Sequence, residues 1–224
     1  MTFCKEMRRE TDIYWKGSFE HPFILRLADG TLPLENFKFY MMQDAYYLKH
    51  YAKILGLTAV KADRTEEMLY FLNMAHYITE AELDLHQSVF KELGVTEEEW
   101  SHFQEAPAAY EYVSHMYNAV YNGDLSEAFA SMLPCPWLYC EIGQRIKQQK
   151  PGFKLYQDWI NLYSSDEYRQ KIDYQIKLMN RFAEHTDKRK HQKLKKIFAK
   201  SCYYELAFWE MAMKKQGWIP RGIN

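Results

Sequence analysis

A thiol stands between two prolines at Pro134-Cys135-Pro136, within residues 124–149, which otherwise read as one long helix. The flanks carry Leu125, Phe129, Met132 and Leu133 before the break, then Trp137, Leu138, Ile142 and Ile146 after it. Proline inside a helix removes an N–H donor and clashes with the preceding turn, at a cost of about 3 kcal/mol. Pro136 suits the first position of a new helical segment, which would make Cys135 its N-cap. A thiol there meets unpaired N–H groups and the positive end of the helix dipole, both favouring thiolate. A structural kink around a buried, inert cysteine fits the same tripeptide.

Two acids share this oddity of setting. Tyr40, Asp44, Tyr47 and Tyr51 recur at spacings of three and four, so they occupy one helix face. An acid on so aromatic a face is costly to bury without a partner. It could hold the donor edge of a heteroaromatic amine, pair with a lysine, or cap another helix. Glu205 repeats the pattern within Tyr203-Tyr204-Glu205-Leu206-Ala207-Phe208-Trp209. Desolvation there would raise its pKa, as a general acid near neutral pH requires, unless a salt bridge or solvent claims it. Asp44, Cys135 and Glu205 lie on three different helices, which points toward a shared pocket. Tyr139 follows Cys135 by one helical turn, and Tyr112 and Tyr163 fall near helix ends, where side chains can line a cavity.

A different chemistry competes. Glu82 and His86 are one turn apart, His76 and Glu80 are near, and Glu141 follows on another helix. Carboxylate and histidine at this spacing also suit a di-iron helical bundle. Such a site needs a second histidine-bearing helix. The stretch 166–184 offers Asp173 but no histidine, and His185 and His191 sit beyond it in a basic polar run. A solvated helix face is the simpler account of Glu80, Glu82, Asp84 and His86.

The elements that must position these residues follow helical periodicity almost throughout. A first helix is expected over 3–16, and His21-Pro22 opens a short one ending near Asp29-Gly30. Pro33 starts a long helix through about Ala62, and another runs from Thr65 to Leu93, stopped by Gly94. Thr96 with Glu99 forms a capping-box pattern. Pro107 begins a helix to Tyr121, and Asp124 or Ser126 can cap the next one. Helices near 153–163, 166–184 and 188–215 complete the chain. No strand-like alternation, repeat or linker appears, so residues 1–224 read as one all-α domain, a multi-helix bundle.

Bulk properties narrow the function. The 224 residues carry 29 basic and 30 acidic side chains, a net charge of −1, which gives no electrostatic case for nucleic acid or an anionic membrane. No apolar run approaches the roughly 20 residues of a membrane span. The N-terminus lacks a signal-like apolar region. Cys4, Cys135, Cys140 and Cys202 form no CxxC pair, so reduced thiols in a cytoplasmic protein are expected. Eighteen Tyr, 13 Phe and 6 Trp make an aromatic excess that suits a flat-walled, hydrogen-bonding pocket.

Taken together, several separated motifs resemble the TenA/thiaminase II family, the aminopyrimidine aminohydrolases. They are Trp15 through His21-Pro22-Phe23, Asp29-Gly30-Thr31-Leu32-Pro33, Gln43-Asp44-Ala45-Tyr46-Tyr47-Leu48, and Tyr112 through Ser114-His115-Met116-Tyr117. Leu133-Pro134-Cys135-Pro136-Trp137-Leu138-Tyr139 and Tyr203-Tyr204-Glu205 with Phe208-Trp209 extend the resemblance to nearly the whole chain. It implies a haem-oxygenase-like bundle without haem, a homotetramer, and a hydrolase needing neither metal nor organic cofactor. The implied reaction releases 4-amino-5-hydroxymethyl-2-methylpyrimidine from aminomethylpyrimidine with loss of ammonia, or from thiamin with loss of the thiazole, in thiamin salvage.

By the same resemblance Cys135 corresponds to the nucleophile, Glu205 to the acid/base, and Asp44 to the carboxylate holding the pyrimidine's amino edge. Tyr47, Tyr112, Tyr139, Tyr163 and Phe208 correspond to the pocket wall. Thiolate addition to the ring carbon beside the methylene-bearing one, with a proton delivered by Glu205, would interrupt aromaticity and let the ring expel its amine or thiazole. Two other expectations stay open: a di-iron oxygenase using Glu82, His86 and Glu141, and a non-catalytic pyrimidine or thiamin binder. Thiamin and the degraded aminopyrimidine present the same ring to Asp44, so the sequence does not choose between them.

Overall fold

The long helices follow from where apolar stripes begin and which residues end them. A computed structural model describes residues 1–84, 88–184 and 186–218, with the backbone alone for 81–84. Its helices are α1 (Phe3–Glu10), α2 (Asp12–Phe19), α3 (Pro22–Asp29), α4 (Leu34–Ala59), α5 (Thr65–Asp84), α6 (Phe90–Glu92) and α7 (Glu97–Ser101). After these come α8 (Pro107–Asn122), α9 (Leu125–Met132), α10 (Pro134–Ile146), α11 (Lys154–Ser164), α12 (Asp166–Glu184) and α13 (Lys188–Lys214). Among the described residues there is no strand, and no helix is long and apolar enough to cross a membrane. α13 lies against α2, α8, α9 and α10, while α4 runs along α5 and also touches α8 and α13. The core therefore sits where α4, α10 and α13 converge.

Several boundaries differ from the sequence expectation for local reasons. The first helix divides at Thr11, whose hydroxyl turns back onto the Met7 carbonyl at 2.8 Å and accepts the Trp15 indole N–H at 3.1 Å. α4 stops at Ala59 because the next turn tightens: Lys61 N–H bonds Thr58 O, and Ala62 N–H bonds Ala59 O. The helix expected over 65–93 is described as α5 and the short α6. Gly94, at φ +65°, ends α6 in the left-handed conformation glycine tolerates. The Thr96–Glu99 capping box forms in full, and Asp124 rather than Ser126 caps α9.

The proline-flanked thiol is also placed differently. Leu133 is helical (φ −60°, ψ −35°), so α9 runs almost directly into α10. Pro134 takes the first helical position and Cys135 the second, so Cys135 is not an N-cap. Pro136 can donate nothing to the Met132 carbonyl. That oxygen instead accepts the Tyr51 hydroxyl at 3.4 Å, and the neighbouring Ser131 carbonyl accepts the Ser201 hydroxyl at 2.8 Å. Side chains from α4 and α13 thus hold the backbone just before the thiol.

On its far side α10 packs on α11 through Gly143. A Cβ at that position would lie 2.4 Å from the Tyr163 carbonyl carbon, so only glycine admits this approach. Tyr163 is thereby held against Tyr139, their rings 4.8 Å apart edge-to-face.

Candidate active site

A cavity of about 290 Å³ opens between α4, α10, α11 and α12. Tyr40, Asp44, Tyr47 and Tyr51 all line it, as their spacing along α4 requires. α10 contributes Cys135 and Tyr139, one turn apart, and α11 contributes Trp159 and Tyr163. Glu205, Tyr112 and Phe208 stand one layer behind this surface. Phe208 supports Tyr47 at a ring separation of 6.0 Å, and the Tyr112 hydroxyl donates to Glu205 Oε1 at 2.6 Å.

Electrostatics are dominated by burial. Asp44 is 8% exposed and has neither a hydrogen-bond donor nor a cation beside it among the described residues. Desolvation raises its pKa to about 7. Glu205 rises to about 8, chiefly by desolvation and further by the Asp44 charge; the hydrogen bonds of Tyr112 and Cys135 pull it back. The Cys135 thiol and the Glu205 carboxyl are thus close enough to shift each other's titration.

The thiol's own pKa moves well above its ordinary value, first by desolvation and then by the Glu205 charge; Tyr47 opposes the shift. This reverses the thiolate expected for an N-cap cysteine. Two of the first three residues of α10 are prolines and carry no N–H, and the Trp137 N–H already bonds Leu133 O at 3.4 Å. The C-terminus of α9 abuts this end of α10, so little of a free helix N-terminus faces the sulfur. Burial thus favours the protonated form of the Cys135 thiol, near a carboxyl whose pKa is also raised.

The other candidate residues divide differently. Glu141 forms a two-point pair with Arg8, at 3.2 and 3.0 Å, and Arg8 stacks over the Trp15 ring at 4.0 Å. Its carboxylate thus fixes α10 to α1. The Glu82 side chain and His86 lie outside the described residues. His76 and Glu80 form an exposed pair at 3.4 Å. Among the described residues no three His, Cys, Asp or Glu side chains come together as a metal would need.

Sequence reasoning missed Trp159, Tyr168 and Gln175 of the cavity wall. A signal was available: Trp159 and Tyr163 are four apart on α11, and Tyr168, Ile172 and Gln175 share one face of α12.

Residues 8–215 match the TENA/THI-4/PQQC family. The chain belongs to this family. A relative, the aminopyrimidine aminohydrolase of Bacillus subtilis (strain 168), is 40% identical over 224 residues, covering 100% of this chain and 95% of the relative. Another family member, a TenA homologue protein from P. horikoshii OT3, has a solved structure that superposes with a TM-score of 0.87 at 31% identity. That match covers 96% of this chain and 99% of the homologue. A domain of unknown function with a heme oxygenase-like fold from Shewanella denitrificans OS217 superposes with a TM-score of 0.71 at 15% identity, covering 95% and 92%. At that identity the shared property is the fold, and the all-helical bundle of this family member is haem-oxygenase-like.

Proposed function

We propose that the chain hydrolyses aminopyrimidines at the methylene attached to the ring, converting 4-amino-5-aminomethyl-2-methylpyrimidine to its hydroxymethyl counterpart plus ammonia in thiamin salvage. The observation that carries this reading is the Asp44 carboxylate, buried in an aromatic cavity without a protein partner and sharing that cavity with Cys135. A buried acceptor left empty is a binding site for a donor edge, and the amino group of an aminopyrimidine supplies one. The 40% identical B. subtilis relative bears the name of this activity.

The chemistry uses residues already in reach. Glu205, as carboxylate, takes the Cys135 proton, and the sulfur adds to the ring carbon beside the one bearing the methylene. A C–S bond forms, a ring C=N bond opens, and its nitrogen receives the proton from Glu205. The 4-amino nitrogen then pushes electrons through the ring to form an exocyclic C=C to the methylene, whose C–N bond breaks, and the amine, bound as ammonium, leaves as ammonia. Positive charge accumulates on the amino edge, next to Asp44, which stabilises it. Water adds to the exposed methylene and releases its proton. Elimination of Cys135 then returns the nitrogen's proton to Glu205 and restores the aromatic ring.

Thiamin, with the thiazole as leaving group, enters the same scheme. Aromatic walls shield the adduct from bulk water and stack on the flat ring. We place the enzyme in the cytoplasm, in keeping with its four free cysteines, and infer a homotetramer, for which the exposed Met68, Leu69 and Leu72 of α5 offer apolar surface.

Ammonia release from aminomethylpyrimidine, measured beside thiazole release from thiamin, tests the reading. Turnover of either supports hydrolysis at the methylene, and the ratio of kcat/KM values ranks the leaving groups. Tight binding of both without turnover would replace the enzyme by a binding protein.

A further inference from the structure

The Ser201 hydroxyl, which bonds the backbone just before the thiol, is itself held by a histidine. His115 of α8 places its Nε2 3.1 Å from Ser201 Oγ and 3.2 Å from the Ile197 carbonyl oxygen, while Ser201 Oγ lies 2.8 Å from the Ser131 carbonyl oxygen. Ser201 is 0% exposed, and Ser131 stands one helical turn before Cys135. Both carbonyl oxygens can only accept, which decides where the protons sit. A bare Nε2 would turn its lone pair on the Ile197 oxygen and draw the Ser201 hydrogen to itself, taking that donor from the Ser131 carbonyl. With the proton on Nε2, one N–H is shared between Ser201 and Ile197, and the Ser201 hydrogen goes to Ser131. Burial lowers the His115 pKa to about 4, so near pH 7 the ring is neutral and one tautomer does this. Packing aims the ring: it lies 5.6 Å from Tyr204, which stacks on Tyr112 at 5.5 Å and 20°. His115 itself stands outside the cavity wall.

Resting on the aminopyrimidine reading above, we propose that His115 is a positioning residue for Cys135, its Nε2–H committing the Ser201 hydroxyl to the Ser131 carbonyl. Glu205 lies one turn after Ser201 on α13, so the same tie sets the thiol against the carboxyl that takes its proton. A shift of this junction costs rate, because the reacting groups are misplaced, and leaves the ring's contact with Asp44 on α4 intact. The contribution of His115 therefore falls on turnover and not on binding.

Ammonia release from aminomethylpyrimidine by His115→Phe, His115→Gln and Ser201→Ala, and by His115→Phe combined with Ser201→Ala, tests this. The Kd for the hydroxymethyl product and circular dichroism are measured on each protein. Phenylalanine keeps a ring on Tyr204 but carries no N–H. It is expected to lower kcat about tenfold, the size of one buried hydrogen bond, and to change KM and Kd by less than about threefold. Glutamine, whose amide N–H reaches as far as Nε2, should bring kcat back to within about threefold of wild type. In the Ser201→Ala background His115→Phe should cost less than about twofold more, since its route is already cut. Should the phenylalanine variant fail to fold, His115→Asn, whose amide falls short of Ser201, takes its place. Unchanged kcat without the N–H, no rescue by glutamine, or a further loss of about tenfold on top of Ser201→Ala overturns the proposal. Absence of ammonia release by wild-type protein would instead overturn the functional reading, and the proposal with it.

Discussion

At the scale of single residues, the site places two carboxyls and a thiol where water is scarce, and each responds by holding its proton longer. Asp44 has a folded pKa of about 7 against an ordinary value near 4, so its ionisation opposes folding. The sign follows directly: the cost is absent below about pH 4 and complete above about pH 7. Asp44→Asn should therefore raise the Tm of the ligand-free protein at pH 8, by roughly 5 °C, and change it little at pH 4. The same variant should bind the pyrimidine far more weakly, which calorimetry with and without ligand separates from the stability gain. Glu205, at about 8, must lose its proton before it can take one from Cys135. We expect kcat/KM to rise with pH up to about 8. In Tyr112→Phe the rising limb should move to higher pH, because the hydroxyl that holds the carboxylate down is gone. A limb that stays in place would remove Glu205 from the proton transfer.

At the scale of elements, the site depends on how helices hold one another across long sequence distances. Ser201 and Glu205 are one turn apart on α13, and both bear on the α9–α10 junction: Ser201 bonds the Ser131 carbonyl, and the Glu205 charge raises the pKa of the Cys135 thiol. Ser201→Ala leaves that carbonyl without its donor. It should cost about 1 kcal/mol of stability in urea unfolding and lower kcat more than it raises KM, because the thiol is held less firmly. Gly143→Ala forces a Cβ into the Tyr163 backbone and should destabilise by a few kcal/mol through separation of α10 from α11. Legibility in the sequence varied with this dependence on distant contacts. The α4 face was legible, since Tyr40, Asp44, Tyr47 and Tyr51 follow from helical period alone. Which residue of Pro134-Cys135-Pro136 opens α10 was not. That choice depends on Leu133 staying helical while Tyr51, 81 residues away, and Ser201, 70 away, take up the carbonyls freed there. Trp159 had a local signal in its four-residue spacing to Tyr163, but its bond to Tyr40, 119 residues earlier, had none.

At the scale of the whole molecule, α4, α10, α11 and α12 enclose one cavity, and α8 and α13 supply Tyr112, Glu205 and Phe208 behind its wall. For the proposed reaction the haem-oxygenase-like bundle supplies a cavity of about 290 Å³ whose aromatic walls would hold a flat ring against Asp44. The chain belongs to the TENA/THI-4/PQQC family. In the proposed reaction Cys135, activated by Glu205, attacks the ring. This attack is tested by ammonia release from aminomethylpyrimidine by purified Cys135→Ala protein, alongside its Kd for the hydroxymethyl product. Release at least about 1,000-fold slower than wild type is expected, with the Kd changed by less than about tenfold. Release near the wild-type rate would contradict it.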